Sequence, residues 1–197
     1  PVVFVDDNPL LEGRYVDGAP VYPRARLGEL LREGYAAIGG VGDNHIRARL
    51  YLELRAMGFV LTRAVHPVAI VSPRARLADG VALMPGAIVN TGAEIGENAC
   101  INTAASVDHD VVVGAHAHLF PGVRLTGNVR VGCYATVATG ASVLPGVRIG
   151  DHALVGAGAV VLRDVPDCAV AYGVPARVVR YREPVPVPTE VPSLCAS

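Results

Sequence analysis

The chain has 197 residues, a formal net charge of −1 and a composition that is 51% hydrophobic but only 5% aromatic, with no Trp. Its basic residues are all Arg, which excludes covalent chemistry on a lysine amine. The sequence has no basic cluster, so we do not expect nucleic acid as a partner. No signal peptide or membrane-length apolar run is visible. The four cysteines are far apart in the sequence and form no CxxC pair, so we expect reduced thiols. Reduced thiols are typical of a cytoplasmic protein.

Residues 1–62 alternate between strand and helix patterns. The pattern predicts a strand at PVVFVDD that ends in two acids, a short amphipathic helix at RLGELLREG, a buried strand at YAAIGG, and a helix at DNHIRARLYLELRAMG capped by Asp43 or Asn44. This order predicts a small βαβ unit with a parallel sheet of the nucleotide-binding, Rossmann-like type. Because the chain opens inside a strand, we expect its true beginning to be missing.

Every sixth residue from Val71 to Val161 is Val, Leu or Ile, and the residue four places after each is Ala or Val. A period of six matches neither a helix nor a flat strand. It is the repeat of a left-handed parallel β-helix, in which three hexads form one triangular coil. We therefore predict a mostly β fold, with this solenoid at residues 63–180, a closing strand or cap at CAVAYGVPARVVR, and an extended Pro-rich tail at 181–197. Acyl transfer from a thioester carrier dominates the uses of this fold.

The hexad also separates the histidines by position. The first and fifth residues of each hexad face inward, the sixth faces outward, and the other three turn the corner. Most residues at the fourth position are Gly, Asn, Asp or His, which tolerate a left-handed backbone, so His116 and His152 have a structural explanation as corner residues. His109, at the third position, and His118, at the sixth, have none. Asp110 both occupies the corner position and adjoins His109.

An acyltransferase needs a base that takes a proton from an amine or hydroxyl as it attacks the thioester, and histidine suits this role near neutral pH. His109 lies between Asp108 and Asp110, either of which could orient its ring; the alternative is an inert corner residue exposed to solvent. His118 follows nine residues later, half a coil, so we predict that it lies opposite the corner that carries His109. The two would meet only across the interface of a three-fold trimer. For His118 the alternative is an interface hydrogen bond without chemistry.

Arg130 and Arg148 are 18 residues apart, both at the sixth position, so we expect them to stack on one outer face. Like charges at the strand spacing of about 4.8 Å require an anion or an acid between them. Coenzyme A phosphates and a carboxylate of a partner chain are the two candidates.

The stretch from Ala64 to Val179 contains three informative motifs, NTAASVDHD, TGNVRVG and the closing YGVPARVV. With them it resembles the sugar acyltransferases of the sialic acid O-acetyltransferase and bacillosamine-pathway UDP-amino-sugar N-acetyltransferase type. The preceding FVDD, AIG and GDN segments resemble the N-terminal Rossmann-like domain of that family. The resemblance implies a homotrimer with three active sites at its subunit interfaces and acetyl-CoA as the co-substrate.

The resemblance also implies roles for individual residues. His109 falls at the general base, Asp110 at a neighbouring acid, and His118 near the acetyl group of acetyl-CoA. The positions along the pantetheine groove are Gly127, Thr139 and Ala157, and those at the uridine end of a nucleotide sugar are Asp6 and Asp7, with Gly39 near the same pocket. The family begins with a strand and a GxGGH turn that receives the diphosphate at a helix start. That segment is absent here, so we expect either a truncated chain or an incomplete nucleotide pocket.

These observations predict an acetyl-CoA-dependent acetyltransferase that acts on the amine of a nucleotide-linked amino sugar in bacterial surface glycan biosynthesis. We expect UDP as the nucleotide and no metal ion. O-acetylation of a sialic acid or another sugar is an alternative, whereas serine O-acetylation would leave the N-terminal unit without a nucleotide to bind. A γ-type zinc carbonic anhydrase would need three converging histidines and a His-x4-His pair, which HDVVVGAHAH lacks. A non-catalytic trimeric scaffold would leave His109 unexplained.

Overall fold

The computed structural model of the protein describes residues 1–183. Most of the predicted Pro-rich tail, from residue 184 onward, lies outside the described residues. Within residues 1–183 no helix is both long enough and apolar enough to cross a membrane.

The N-terminal unit begins with a small mixed sheet. Its strands are β1 (Phe4–Val5), β2 (Tyr15–Val16) and β3 (Ala19–Tyr22); β1 pairs with β3 in parallel, and β2 pairs with β3 in the antiparallel direction. The β2–β3 hairpin, which the strand and helix pattern of residues 1–62 did not predict, turns at Asp17 and Gly18, whose φ angles are 46° and 79°. A two-residue hairpin turn of type I′ requires two positive φ values, and Asp-Gly is a favoured pair for it.

Two helices follow this sheet in the predicted positions. A 3-10 turn at Arg24–Arg26 leads into α1 (Leu27–Arg32), and after a loop comes α2 (Asn44–Ala56). Asp43 is the cap of α2, because its carboxylate accepts hydrogen bonds of 2.9 Å from the backbone N–H groups of His45 and Ile46.

The predicted strand at YAAIGG is wrong in extent. Only Ala37 pairs, through an isolated parallel bridge to Leu61. Gly39 and Gly40 follow it, and glycine lacks the side chain that strands pack on a half-buried sheet. The predicted single parallel sheet is therefore divided into the β1–β3 pair and this separate bridge.

From Ala64 the chain forms a left-handed parallel β-helix with three sheets. The first sheet contains β4 (Ala64–Val65), β7 (Ala82–Leu83), β10 (Cys100–Ile101), β13 (His118–Leu119), β16 (Thr136–Val137), β19 (Leu154–Val155), β21 (Ala169–Gly173) and β22 (Ala176–Tyr181). The second sheet contains β5 (Ile70–Val71), β8 (Ile88–Val89), β11 (Ser106–Val107), β14 (Arg124–Leu125), β17 (Ser142–Val143) and β20 (Val160–Val161). The third sheet contains β6 (Arg76–Leu77), β9 (Glu94–Ile95), β12 (Val112–Val113), β15 (Arg130–Val131) and β18 (Arg148–Ile149).

The hexad sets both the register and the core of the solenoid. Each strand pairs with the strand one coil away, so that His118 lies between Cys100 and Thr136 in the first sheet. The aliphatic residues of the repeat point inward, and Ile101 and Leu119 are 0% exposed. Burying a side chain of this size contributes about 1.5–3 kcal/mol, and the repeat supplies one such residue on every face of every coil. The predicted fold class is confirmed.

The fourth hexad position adopts a left-handed backbone, as predicted. At the corner between the third and first sheets, Asn98, His116, Tyr134 and His152 have φ angles of 56°, 60°, 58° and 57°. Tyr134 is the unexpected member, because a bulky aromatic residue is uncommon in this region. Its ring lies parallel to that of His152 at a centroid distance of 4.9 Å and tilts against His116 at 4.7 Å.

Helix α2 packs on this corner and fixes the N-terminal unit to the solenoid. The Asn44 amide donates to the carbonyl oxygens of Tyr134 (3.1 Å) and Ala135 (3.2 Å). The Arg47 side chain is buried, and its guanidinium donates to the backbone carbonyl oxygens of Asn98 (3.1 Å) and His116 (2.9 Å). Buried polar groups need such partners, so these two side chains specify how α2 docks.

The solenoid closes with an antiparallel hairpin of β21 and β22, which extends the first sheet beyond β19. This is the closing cap predicted at CAVAYGVPARVVR. Cys100 and Cys168 are free thiols, as predicted, but Cys133 is disulfide-bonded, so the expectation of reduced thiols is wrong for that residue. Cys195 lies outside the described residues.

Candidate active site

His109 and Asp110 form a hydrogen-bonded pair on the corner between the second and third sheets. His109 Nδ1 lies 2.9 Å from Asp110 Oδ2, and the backbone N–H of His109 donates to Asp108 Oδ1 at 2.7 Å. The left-handed backbone of Asp110, with φ of 56°, turns its carboxylate toward the ring. The His109 side chain is 51% exposed, so a substrate can reach the ring from solvent.

The Asp110 carboxylate determines which nitrogen of the His109 ring carries the proton. An ionised carboxylate only accepts hydrogen bonds, so Nδ1 carries the proton and Nε2 of the neutral ring is the basic nitrogen. The hydrogen bond to Asp110 raises the pKa of His109, and the charge of Asp108 acts in the same direction. This arrangement suits a general base, because the carboxylate stabilises the imidazolium that forms when Nε2 accepts a proton.

His118 lies on the outer side of the first sheet and is only 5% exposed. Its Nδ1 lies 3.2 Å from the carbonyl oxygen of Gly42, and its Nε2 lies 3.2 Å from the side-chain nitrogen of Asn102. The Asn102 side-chain oxygen accepts from the backbone N–H of Thr103 at 2.7 Å, which fixes the amide orientation. His118 is therefore protonated on Nδ1, and its Nε2 is an acceptor.

Burial keeps His118 neutral. Desolvation is the main cause that lowers the pKa of His118, and the positive charge of Arg47 lowers it further. The ring packs against Phe120 at a centroid distance of 4.2 Å. His118 and His109 thus occupy different sides of the coil, one on the first sheet and the other at the opposite corner, as the half-coil spacing predicts.

The residues implied for the pantetheine groove divide between two corners. Thr139 and Ala157 are exposed at the corner between the first and second sheets, one coil apart, where the Thr139 carbonyl accepts from Gly158 N–H at 2.9 Å. Gly127 lies at the other end of the second sheet, buried one coil beyond His109. A single chain therefore does not bring Gly127 together with Thr139 and Ala157.

The residues implied for nucleotide binding lie in the N-terminal unit. Asp6 and Asp7 are exposed directly after β1; Asp7 pairs with Arg24 at 3.2 Å, and Asp6 accepts from the backbone N–H of Asn8 at 2.8 Å. Gly39 lies instead against Arg47 of helix α2, where a Cβ built on the glycine would be 3.2 Å from Arg47 Cγ.

Asn44 and Arg47 were missed as parts of the site. Beyond its bonds to the solenoid, Arg47 donates to the carbonyl oxygens of Val41 (3.1 Å) and Gly42 (3.3 Å), which fixes the loop that holds His118. The sequence signal was present: two polar residues stand at i and i+3 on one face of α2, where an apolar contact face is expected.

A cavity of about 310 Å³ lies between the start of α2 and the first sheet. Its walls include Gly42, His45, Phe120, Thr136, Leu154 and Arg182. Across residues 1–183, no group of three or more His, Cys, Asp or Glu side chains is arranged to hold a metal ion.

Arg130 and Arg148 are register partners in the third sheet, as predicted. Arg148 pairs with Asp167 of the same chain at 3.5 Å. A carboxylate of the same chain therefore lies beside this arginine.

Comparison with known proteins identifies the family. The family described as Bacterial transferase hexapeptide (six repeats) matches residues 128–163. A mutant of perosamine N-acetyltransferase from Caulobacter crescentus, in complex with CoA and GDP-perosamine, is 44% identical, with 90% of this chain and 84% of that chain covered and a TM-score of 0.86. The acetyltransferase domain of PglB from Neisseria gonorrhoeae, in complex with acetyl coenzyme A, is 36% identical, with 90% and 85% covered and a TM-score of 0.85.

WeeI from Acinetobacter baumannii is 26% identical, with 90% of this chain and 85% of that chain covered and a TM-score of 0.83. Among curated proteins, none matches the chain significantly. The two closer similarities extend over nearly the whole chain, including both the N-terminal unit and the solenoid. The chain belongs to the acetyl-CoA-dependent, hexapeptide-repeat sugar N-acetyltransferases.

Proposed function

We propose that the protein transfers the acetyl group of acetyl-CoA to the amine of a nucleoside-diphosphate-linked amino sugar, with His109 as the general base. The observation that carries this proposal is the hydrogen bond of 2.9 Å between His109 and Asp110 on an exposed corner of the solenoid. The 44% identical perosamine N-acetyltransferase was solved with CoA and GDP-perosamine, which supports the same two classes of substrate here.

The chemistry follows from the state of the His109 ring. The amine nitrogen attacks the carbonyl carbon of the thioester while His109 Nε2 accepts the amine proton. The N–C bond forms, the C–S bond breaks, and the CoA thiolate takes the proton back from the imidazolium, so the base is regenerated. Asp110 holds Nδ1–H throughout and stabilises the charged intermediate form of the ring.

We infer a three-fold trimer in which two chains contribute to each site. His109 and Gly127 lie at the corner after the second sheet, whereas Thr139 and Ala157 lie at the corner before it. When three prisms turn their second sheets toward a common axis, the corner after the sheet in one chain meets the corner before it in the next. This packing would join both sets of residues three times around the axis.

The outward residues of the second sheet support this choice of face. They are Ile70, Ile88, Ser106, Arg124, Ser142 and Val160, of which only Arg124 is charged. The third sheet instead presents Arg76, Arg130 and Arg148 to solvent, and α2 covers part of the first. Burying the second sheet removes fewer charges from water than burying the third, and α2 leaves less of the first sheet free for an interface.

We infer that residues 1–62 recognise the nucleotide and that Asp6 and Asp7 contact its base or ribose. They lie at the carboxyl end of β1, the end at which parallel sheets bind ligands. Guanine offers two neighbouring N–H donors on one edge and uracil a single imide N–H, so a carboxylate with two acceptor oxygens suits guanine better. With the GDP-perosamine complex of the relative, this favours a GDP-linked acceptor over the UDP-linked one expected from the sequence.

The kinetic test compares three acceptors at saturating acetyl-CoA: GDP-perosamine, a UDP-linked 4-amino sugar, and perosamine without its nucleotide. We expect the highest kcat/KM for GDP-perosamine and a value for the free sugar that is lower by about a hundredfold or more, because the nucleotide supplies binding energy remote from the amine. Asp6→Asn should lower kcat/KM for the GDP-linked acceptor only, whereas Glu12→Gln, at an exposed carboxylate in the same unit, should change neither value.

Equal kcat/KM for the nucleotide-linked and free sugars would refute nucleotide recognition and favour a free-sugar acceptor. A higher value for the UDP-linked acceptor would overturn the choice of guanine while leaving the class of substrate intact. Because acetyl-CoA is a cytoplasmic metabolite, we place the reaction in the cytoplasm.

A further inference from the structure

Gly127 lies directly against the ring of His109, one coil further along the solenoid. A Cβ built on Gly127 would lie 2.5 Å from both Cε1 and Nε2 of His109 and 3.2 Å from Cδ2. Contacts this short do not occur between real atoms, so any side chain at residue 127 would displace the ring. Gly127 is also buried, although it occupies a corner of the coil.

The backbone at Gly127 does not itself require glycine. Many corner glycines of this solenoid have φ between 65° and 74°, where glycine relieves strain, but Gly127 is not among the residues with positive φ. Its missing side chain therefore has one evident structural consequence, which is the space occupied by the imidazole.

We infer that Gly127 is a positioning residue that seats the general base: its missing side chain lets His109 Nε2 lie against the next coil while Asp110 holds Nδ1. This inference rests on the proposed role of His109. It differs from the role in the pantetheine groove that the family resemblance implies for Gly127. The ring is therefore held at Nδ1 by the hydrogen bond to Asp110 and at Nε2 by close packing against Gly127.

A second glycine makes room for the other member of the pair. Gly92 lies one coil before Asp110, and a Cβ built on it would overlap Asp110 Oδ1. Gly92 has φ of 71°, so its backbone provides an independent reason for glycine, and the test is better made at Gly127. Together the two glycines make room for the His109–Asp110 pair, which lies against neighbouring coils on one side and is exposed on the other.

The test is Gly127→Ala, with Gly28→Ala as the matched control. A Cβ at Gly28 meets only Arg32 Nη1, at 3.8 Å, so the control adds a methyl group without displacing anything. We expect Gly127→Ala to lower kcat between about tenfold and a hundredfold, because displacement of a reacting group by about 1 Å costs this much. The KM for acetyl-CoA and the thermal unfolding midpoint should stay close to those of the wild type.

A double-mutant cycle separates the two roles of Gly127. If Gly127 acts through the base, adding Gly127→Ala to His109→Ala should cause no further loss of kcat. An additive loss, or a raised KM for acetyl-CoA with unchanged kcat, would overturn the inference in favour of direct cofactor contact. If His109→Ala alone keeps wild-type activity, the proposed base is wrong, and that result is distinct from any effect at residue 127.

The titration of His109 provides a readout that does not depend on turnover. Its ring resonances can be followed by NMR in wild-type and Gly127→Ala protein at several pH values. A displaced ring loses its contact with Asp110, so we expect the pKa of His109 to fall in the variant. An unchanged pKa in a folded variant would contradict the inference.

Discussion

Acidification should weaken the docking of the N-terminal unit on the solenoid through His116. This histidine is 0% exposed at the corner under α2, and its Nδ1 contacts the Asn98 amide at 2.9 Å. Desolvation, with the nearby charge of Arg47, lowers the pKa of His116 from 6.5 to about 4. The unfolded chain therefore binds a proton below pH 6.5 that the folded protein does not accept until near pH 4.

The sign and size follow from this difference. A depressed histidine pKa stabilises the folded state above pH 6.5, and the contribution is lost as the pH falls from 6.5 toward 4. The full loss is about 3 kcal/mol, from 1.36 kcal/mol per unit of pKa, and about 2 kcal/mol of it falls between pH 7 and pH 5. Burial also lowers the pKa of His45 and His152, which lie near His116 at the same corner, so their contributions have the same sign.

The assay is urea unfolding followed by circular dichroism at pH 7 and pH 5, at one protein concentration, for the wild type and His116→Asn. Asparagine tolerates this left-handed backbone, as Asn98 and Asn128 do at equivalent corners. The free energy of unfolding should drop between the two pH values by about 2 kcal/mol less in the variant than in the wild type. His66→Asn makes the same substitution at an exposed histidine outside this corner and serves as the matched control. Equal drops in the wild type and His116→Asn would refute the reasoning.

Two further predictions concern the active site. Mixing His109→Ala subunits with His118→Ala subunits, each inactive alone, should regenerate activity in hybrid trimers, because some interfaces then combine an intact His109 with an intact His118. No recovery despite demonstrated subunit exchange would favour a site within one chain. Asp110→Asn replaces the charged acceptor of His109 Nδ1–H with a neutral one and so weakens the interaction that raises the pKa of His109. The acid limb of the pH profile of kcat should move to lower pH while the plateau rate falls, and an unmoved limb would show that Asp110 does not tune the base.

The solenoid was predictable because its information is local. An inward aliphatic residue at every sixth position forces the same turn of backbone in each hexad, so the register of His118 with Cys100 and Thr136 follows by counting. The same counting placed His109 and His118 on different sides of the coil. The predictions for individual groove and nucleotide residues came from the resemblance and remain predictions.

Contacts between distant segments were not predictable in this way. Arg47 bonds to Asn98, 51 residues later, and Asn44 to Tyr134, 90 residues later, and no periodic pattern links helix α2 to the solenoid corner. The seat that Gly127 provides for His109 was hidden for another reason: a glycine in a glycine-rich repeat is expected at corners, and only the packing of the next coil shows that this one makes room for a ring.

The central claim is tested most directly by His109→Ala in a single-turnover reaction with acetyl-CoA and GDP-perosamine, with the acetylated product identified by mass spectrometry. We predict that the wild type forms the N-acetylated nucleotide sugar, and that His109→Ala forms it more slowly by about a hundredfold or more with nearly unchanged acetyl-CoA affinity. Near-normal turnover in His109→Ala, or no acetylated nucleotide sugar from the wild-type enzyme, would contradict the account.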